Sequence, residues 1–146
     1  MVHSDVCDSN DVLIHGGKRY FIMFIDYFSK YCYIYSINYK RELFDKFKVY
    51  KIEVENQLER KIKILRSDRG EKYTYLDMSN FCEMHNIMHE VTPLYALESN
   101  GIAKRKNCTL LDMVNVMLVS SSLSKNMWGE FYILHVIFLI RFLIKI

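Results

Sequence analysis

The sequence predicts a single mixed α/β domain, and three observations carry that expectation. Segments rich in aromatic and β-branched residues with a period of two alternate along the chain with segments whose apolar residues recur every three or four positions. The length of 146 residues suits one compact domain, long enough to bury a core and too short for two ordinary ones. Apolar residues at 51% and charged residues at 25%, with one proline and five glycines, describe a folded chain and exclude a disordered tail.

The elements follow in order. Val2 to Cys7 is the only stretch available for a first strand before polar residues take over. After the turn signal Gly16-Gly17, Tyr20 to Phe28 and Tyr31 to Ile37 read as two strands of a hairpin broken at Ser29-Lys30. Residues 40–59 change period: Leu43, Phe44, Phe47, Tyr50, Val54 and Leu58 mark one face of an amphipathic helix. Ile62 to Leu65 is a short strand that runs into the loop Arg66-Ser67-Asp68-Arg69-Gly70, with Asp68 at its C-terminal end. A helix near 77–86 and a brief strand from Ile87 to Val91 come next, then Pro93 and a polar loop through Asn100-Gly101. From Ala103 the residues Leu110, Leu111, Val114, Met117 and Leu118 form the stripe of a longer helix, and Ser124 is the expected N-cap of a last one.

The remaining composition narrows the function classes. A formal charge of +3 is compatible with a nucleic-acid partner without demanding one. Cys7, Cys32, Cys82 and Cys108 form no C-x-x-C pair and follow no signal peptide, so free thiols in an intracellular compartment, nucleus or cytoplasm, are expected. The apolar run from Phe131 to Ile144 is interrupted by His135 and Arg141 and is shorter than the roughly 20 residues of a membrane span. It reads as a buried amphipathic helix, and no membrane partner is expected. Cys82, His85 and His89 have half the spacing of a zinc site, but a closed site needs four ligands, so they read as scaffold.

Six short words, in order and at family-like spacing, carry a resemblance. They are His3-Ser4-Asp5-Val6-Cys7, Gly16-Gly17-Lys18-Arg19-Tyr20-Phe21, Phe24-Ile25-Asp26, Val54-Glu55-Asn56-Gln57, Leu65-Arg66-Ser67-Asp68-Arg69-Gly70, and Ser99-Asn100-Gly101-Ile102-Ala103 with Arg105-Lys106-Asn107. Over almost its whole length the chain resembles the integrase catalytic core of copia-type retrotransposons. The resemblance implies an RNase H-like fold, a mixed five-stranded sheet flanked by helices, with polynucleotidyl-transferase chemistry. It also implies DNA as partner, with homo-oligomers possible in kind. Residues 1–146 would form the core alone, truncated, without the zinc-binding domain that precedes it in the family or the C-terminal module that follows.

The implied site is a D-D-E set holding two Mg²⁺ or Mn²⁺ ions, with Asp5 and Asp68 on the two aspartate positions. A pair of metals about 3.5–4 Å apart clamps the attacking and leaving oxygens of an in-line displacement at phosphorus, and hard cations want carboxylate oxygens. The family's glutamate follows the second aspartate after 35 residues, and that count lands on Lys104. A carboxylate has become an ammonium, so metal binding is doubtful and catalysis is expected to be lost or impaired. Glu98 on the preceding loop and Glu90 at the end of the short strand before it are the acids weighed as stand-ins. Glu71-Lys72 and Leu97-Glu98 also depart from the pattern, and Asp26 reads as structural. Asn100, Lys104, Arg105, Lys106 and Asn107 are the candidate DNA contacts, able to meet phosphates and carrying little sequence information. The alternatives are a non-catalytic interaction or oligomerisation module derived from an integrase, and a non-functional transposon remnant.

Overall fold

A computed structural model of the chain describes residues 1–8, 18–29, 31–68 and 72–92, and beyond them Gly101, Arg105, Cys108, Thr109, Asp112, Val116, Ser120 and Ser122. Within those segments the side chains of Cys7, Asp68 and residues 72–75 stand outside the description. The elements are strands β1 (Val2–Asp8), β2 (Tyr20–Asp26) and β3 (Cys32–Ile37), helix α1 (Leu43–Leu58), strand β4 (Ile64–Asp68), helix α2 (Lys72–Met84) and strand β5 (Met88–Thr92). One turn of 3-10 helix, Lys40–Glu42, leads into α1.

The five strands form one sheet in the order β3-β2-β1-β4-β5. The β1–β2 and β2–β3 pairs are antiparallel, as short connections allow. The β1–β4 and β4–β5 pairs are parallel, because the chain returns through α1 and then α2 before each new strand. The mixed five-stranded sheet is therefore the architecture expected. Val2, Ile22, Phe24, Ile37 and Leu65 pack with Phe47, Tyr50 and Val54 of α1 and with Met78 and Cys82 of α2 in one buried cluster. Phe24 stacks on Tyr50 at 4.6 Å between ring centroids. Every residue of β2 from Phe21 to Ile25 is buried, so both faces of this strand are shielded from solvent.

Four expectations need correction. Strand β4 does not stop at Leu65 but pairs through Arg66, Ser67 and Asp68. These polar residues fit a strand flanked on both sides because Arg66 and Ser67 find side-chain partners on β5. Helix α2 starts at Lys72, five positions earlier than the apolar pattern indicates. Leu58, assigned to the buried face of α1, is 50% exposed, since the helix ends there and Glu59 leaves it with a left-handed φ of 51°. The hairpin turn begins at Tyr27, directly after β2 ends at Asp26, rather than at Ser29. The expected helix after Ala103 and the last helix fall almost wholly outside the described residues. Gly101, Arg105, Cys108, Thr109, Asp112, Val116 and Ser120 are helical.

Candidate active site at the ends of the central strands

The parallel register of β1 and β4 is the first fact about the site. Val2 lies beside Leu65, His3 beside Arg66 and Ser4 beside Ser67. One further step along both strands takes the chain to Asp5 and Asp68. Asp5 is half-buried on the sheet's central strand, and Asp68 is the last residue of β4, paired on its other side with Thr92. The topology thus brings together two residues separated by 62 others in sequence. Asp5 is midway along β1, just past the end of its parallel ladder with β4, and Asp68 is at the carboxyl end of β4, the kind of position where open α/β sheets gather their chemistry. Of Asp68 the structure describes the main chain.

Beneath this pair lies a set of buried polar residues. His3, Ser4, Ser67 and Thr92 are the buried polar side chains among the described residues, and all four belong to β1, β4 or β5. The Ser67 hydroxyl is 2.8 Å from His89 Nε2, and the Ser79 hydroxyl of α2 is 3.0 Å from His89 Nδ1. Thr92 Oγ1 donates to the Ser67 carbonyl at 3.3 Å. Ser4 Oγ reaches the Arg66 carbonyl at 3.5 Å, the outer limit of such a bond. Burial holds the His89 imidazole below its ordinary pKa, so near neutrality it is uncharged and has one N–H and one bare nitrogen for the two serines. Sequence reasoning read His89 as scaffold and missed its link to Ser67. The available signal was a histidine inside a five-residue strand that must place a polar side chain against the sheet's neighbours.

Lys104, Asn100, Lys106, Asn107 and Glu98 lie outside the described residues. Arg105 is exposed, and its Nε donates to the Gly101 carbonyl at 3.1 Å, one helical turn back. Glu90 takes both Nε and Nη2 of Arg66 on one oxygen, at 2.9 and 2.6 Å, so this acid is already engaged in a charge-assisted pair. Asp26 stands opposite Val2, at the far end of β1 from Asp68. Its carboxylate accepts the Ser29 amide at 2.8 Å and the Ser29 hydroxyl at 2.6 Å, capping the hairpin turn. Burial pushes its pKa up, but the hydrogen bonds from Ser29 outweigh this and hold it below the usual value.

The three residues with zinc-like spacing each have a different setting. Cys82 is in the core, its thiol raised to about 11 by burial. His85 donates from Nδ1 to the Phe81 carbonyl at 2.8 Å, and His89 joins the two serines. Among the described residues no group of three or more His, Cys, Asp or Glu side chains is placed to hold a metal ion.

Residues 2–96, which include both aspartates and all five strands, match the family of the integrase core domain. The chain belongs to the integrase core family. This integrase core is 38% identical over 130 residues to a retrovirus-related Pol polyprotein from transposon TNT 1-94 of Nicotiana tabacum, covering 89% of the chain and 10% of that protein. It is 31% identical to the Pol polyprotein from transposon RE2 of Arabidopsis thaliana, over 87% of the chain and 8% of the relative. It is 29% identical to the transposon Ty1-DR4 Gag-Pol polyprotein of Saccharomyces cerevisiae, again over 87% and 8%. The integrase core thus spans about a tenth or less of the length of these curated relatives, and it is of the Ty1/copia type.

Solved integrases share its fold. The catalytic core domain of HTLV-2 integrase, in complex with magnesium and in a trimeric form, superposes with a TM-score of 0.57 at 15% identity, covering 90% of this chain and 80% of the other. An intasome of simian T-cell lymphotropic virus, in complex with the PP2A regulatory subunit B56 gamma, gives a TM-score of 0.64 at 14% identity, over 90% and 46%. At these identities the likeness is one of architecture.

Proposed function

We propose that this integrase core has kept the DNA-facing scaffold and two aspartates of its family and has lost two-metal strand transfer through the lysine at position 104. The observation that supports the reading is the parallel register that pairs Ser4 with Ser67, the residues immediately before Asp5 and Asp68. Two carboxylates are hard oxygen donors suited to one Mg²⁺ or Mn²⁺. An ammonium in the third position repels a cation by about 4 kcal/mol per unit charge at about 4 Å and an effective dielectric of about 20. The donor set therefore does not fit a pair of metals, and a two-metal displacement lacks its ligands in this chain.

DNA remains the partner. Lys104, Arg105 and Lys106, with Asn100 and Asn107, supply phosphate contacts that need no metal and carry little sequence information. The compartment that goes with this reading is the nucleus or cytoplasm of the host cell. The test is fluorescence polarisation of a duplex in EDTA, paired with a strand-transfer assay of the unmodified chain in Mg²⁺ and Mn²⁺. Binding without joined product is expected, and joined product from the unmodified chain would overturn the reading.

A second reading, an interaction or oligomerisation module, is favoured by the outer side of α1, where Ile52 is 61% exposed and Val49 43%. Sedimentation equilibrium distinguishes the two: self-association abolished by Ile52→Ser, with no retardation of duplex DNA, would support the second.

A further inference from the structure

We infer that His89 is a positioning residue for Asp68: it grips Ser67, the residue before it, and ties that point of β4 to α2. The inference deepens the reading of Asp68 as an inherited metal-site aspartate and rests on it.

Ser67 is held from two sides. Its hydroxyl meets His89 Nε2 at 2.8 Å, and its carbonyl accepts the Thr92 hydroxyl at 3.3 Å. His89 is in turn fixed by the Ser79 hydroxyl at 3.0 Å from Nδ1. Helix α2, whose Met78 and Cys82 are buried in the core on either side of Ser79, thus anchors the imidazole, and the imidazole anchors the strand. The peptide unit that follows Ser67 is that of Asp68, which is the last residue of β4. A strand end with no further ladder partners frays unless something holds it, and opening of such ends lies at the low-stability end of a fold. Two side chains of β5, His89 and Thr92, meet Ser67, and Ser79 of α2 backs the first of them, so the residue before Asp68 is fixed from two sides. Core packing does not require them, since an apolar trio would fill the same space without the need to satisfy hydrogen bonds. Their arrangement does serve to fix the main chain that leads into Asp68.

The two imidazole nitrogens allow the positioning role to be separated from plain support of α2. An asparagine at position 89 places its amide near Nδ1 and can keep the Ser79 bond while losing Ser67. A glutamine reaches toward Nε2 and can keep Ser67 while losing Ser79. Amide hydrogen exchange by NMR on the full chain is the readout, comparing wild type with His89→Asn, His89→Gln and His89→Ala. Protection of the Asp68 amide is expected to fall about tenfold or more in His89→Asn and His89→Ala, the loss of one buried hydrogen bond. In His89→Gln it stays close to wild type, and the β2–β3 hairpin keeps its protection in all variants that fold. Unchanged protection at Asp68 in His89→Asn overturns the inference, as does a loss shared equally by the hairpin.

Paramagnetic broadening by Mn²⁺ provides the second arm. Broadening of Asp5 and Asp68 in wild type that weakens in His89→Asn supports the role, and broadening that stays equal in His89→Asn overturns it. No broadening in wild type removes the metal-site reading of Asp68, and the exchange data alone then decide whether His89 holds the strand end.

Discussion

Among single residues, Asp26 and Lys104 show how differently the same kind of sequence signal can resolve. Asp26 follows an apolar run as a catalytic aspartate might, yet antiparallel pairing carries it to the far end of β1, where it caps a turn through Ser29. Its folded pKa is lowered, so by linkage it stabilises the fold fully above the ordinary carboxylate range, about pH 4, and this contribution is lost as pH falls through the lowered value. Asp26→Asn should therefore lower the melting temperature at pH 7, with the gap to wild type closing below about pH 4. Thermal melts followed by circular dichroism between these conditions check it, and a gap independent of pH would contradict the assignment. Glu90 was legible as an acid close to the site in sequence, but not as the partner of Arg66, because only the β4–β5 register brings the two side by side. That pairing makes it a poor substitute for the carboxylate absent at position 104.

At the level of elements, the sequence was legible where periodicity and burial agree. Phe47, Tyr50 and Val54 mark the buried stripe of α1, and the hairpin tyrosines lie where alternation puts them, with Tyr33 donating to Gln57 and Tyr35 to Glu53 on that helix. Removing the central aromatic ring by Phe47→Ala should cost about 3–5 kcal/mol, measured by urea unfolding. The ends of elements were less legible. Strand β4 reads as ending at Leu65 because Arg-Ser-Asp is polar, and what keeps those residues in the ladder is partners 22 and 24 positions away. Helix α2 starts at Lys72, before its apolar stripe, because the spacing of apolar residues marks a helix's buried face and fixes its ends only weakly. Helix α1 ends on Glu59 at a φ of 51°, a conformation that favours glycine. Glu59→Gly should accordingly stabilise the chain, by about 1 kcal/mol in the same unfolding experiment; a destabilised variant would show that the Glu59 side chain matters more than its backbone.

For the whole molecule, the fold makes β1 and β4 parallel neighbours in the middle of the sheet, and that is what brings the chain at Asp5 near the chain at Asp68. The family words in the sequence named both positions, while the register that sets Ser4 beside Ser67 and the contacts of His89 with Ser67 and Ser79 needed the fold. A formal charge of +3 gives only a mild pull on DNA, so affinity should come from the local cluster at 104–106. With about three phosphates neutralised, the logarithm of the binding constant should fall with the logarithm of salt at a slope of about −3, and Arg105→Ala should reduce that slope by about one. Polarisation titrations from about 50 to 200 mM salt measure both. On the proposed reading, one charge separates this integrase core from its family's chemistry. A strand-transfer assay on processed duplex ends in Mg²⁺ and in Mn²⁺, comparing the chain as it stands with Lys104→Glu, decides it. Joined product from Lys104→Glu and none from the unmodified chain is the result expected, and equal product from both would contradict it.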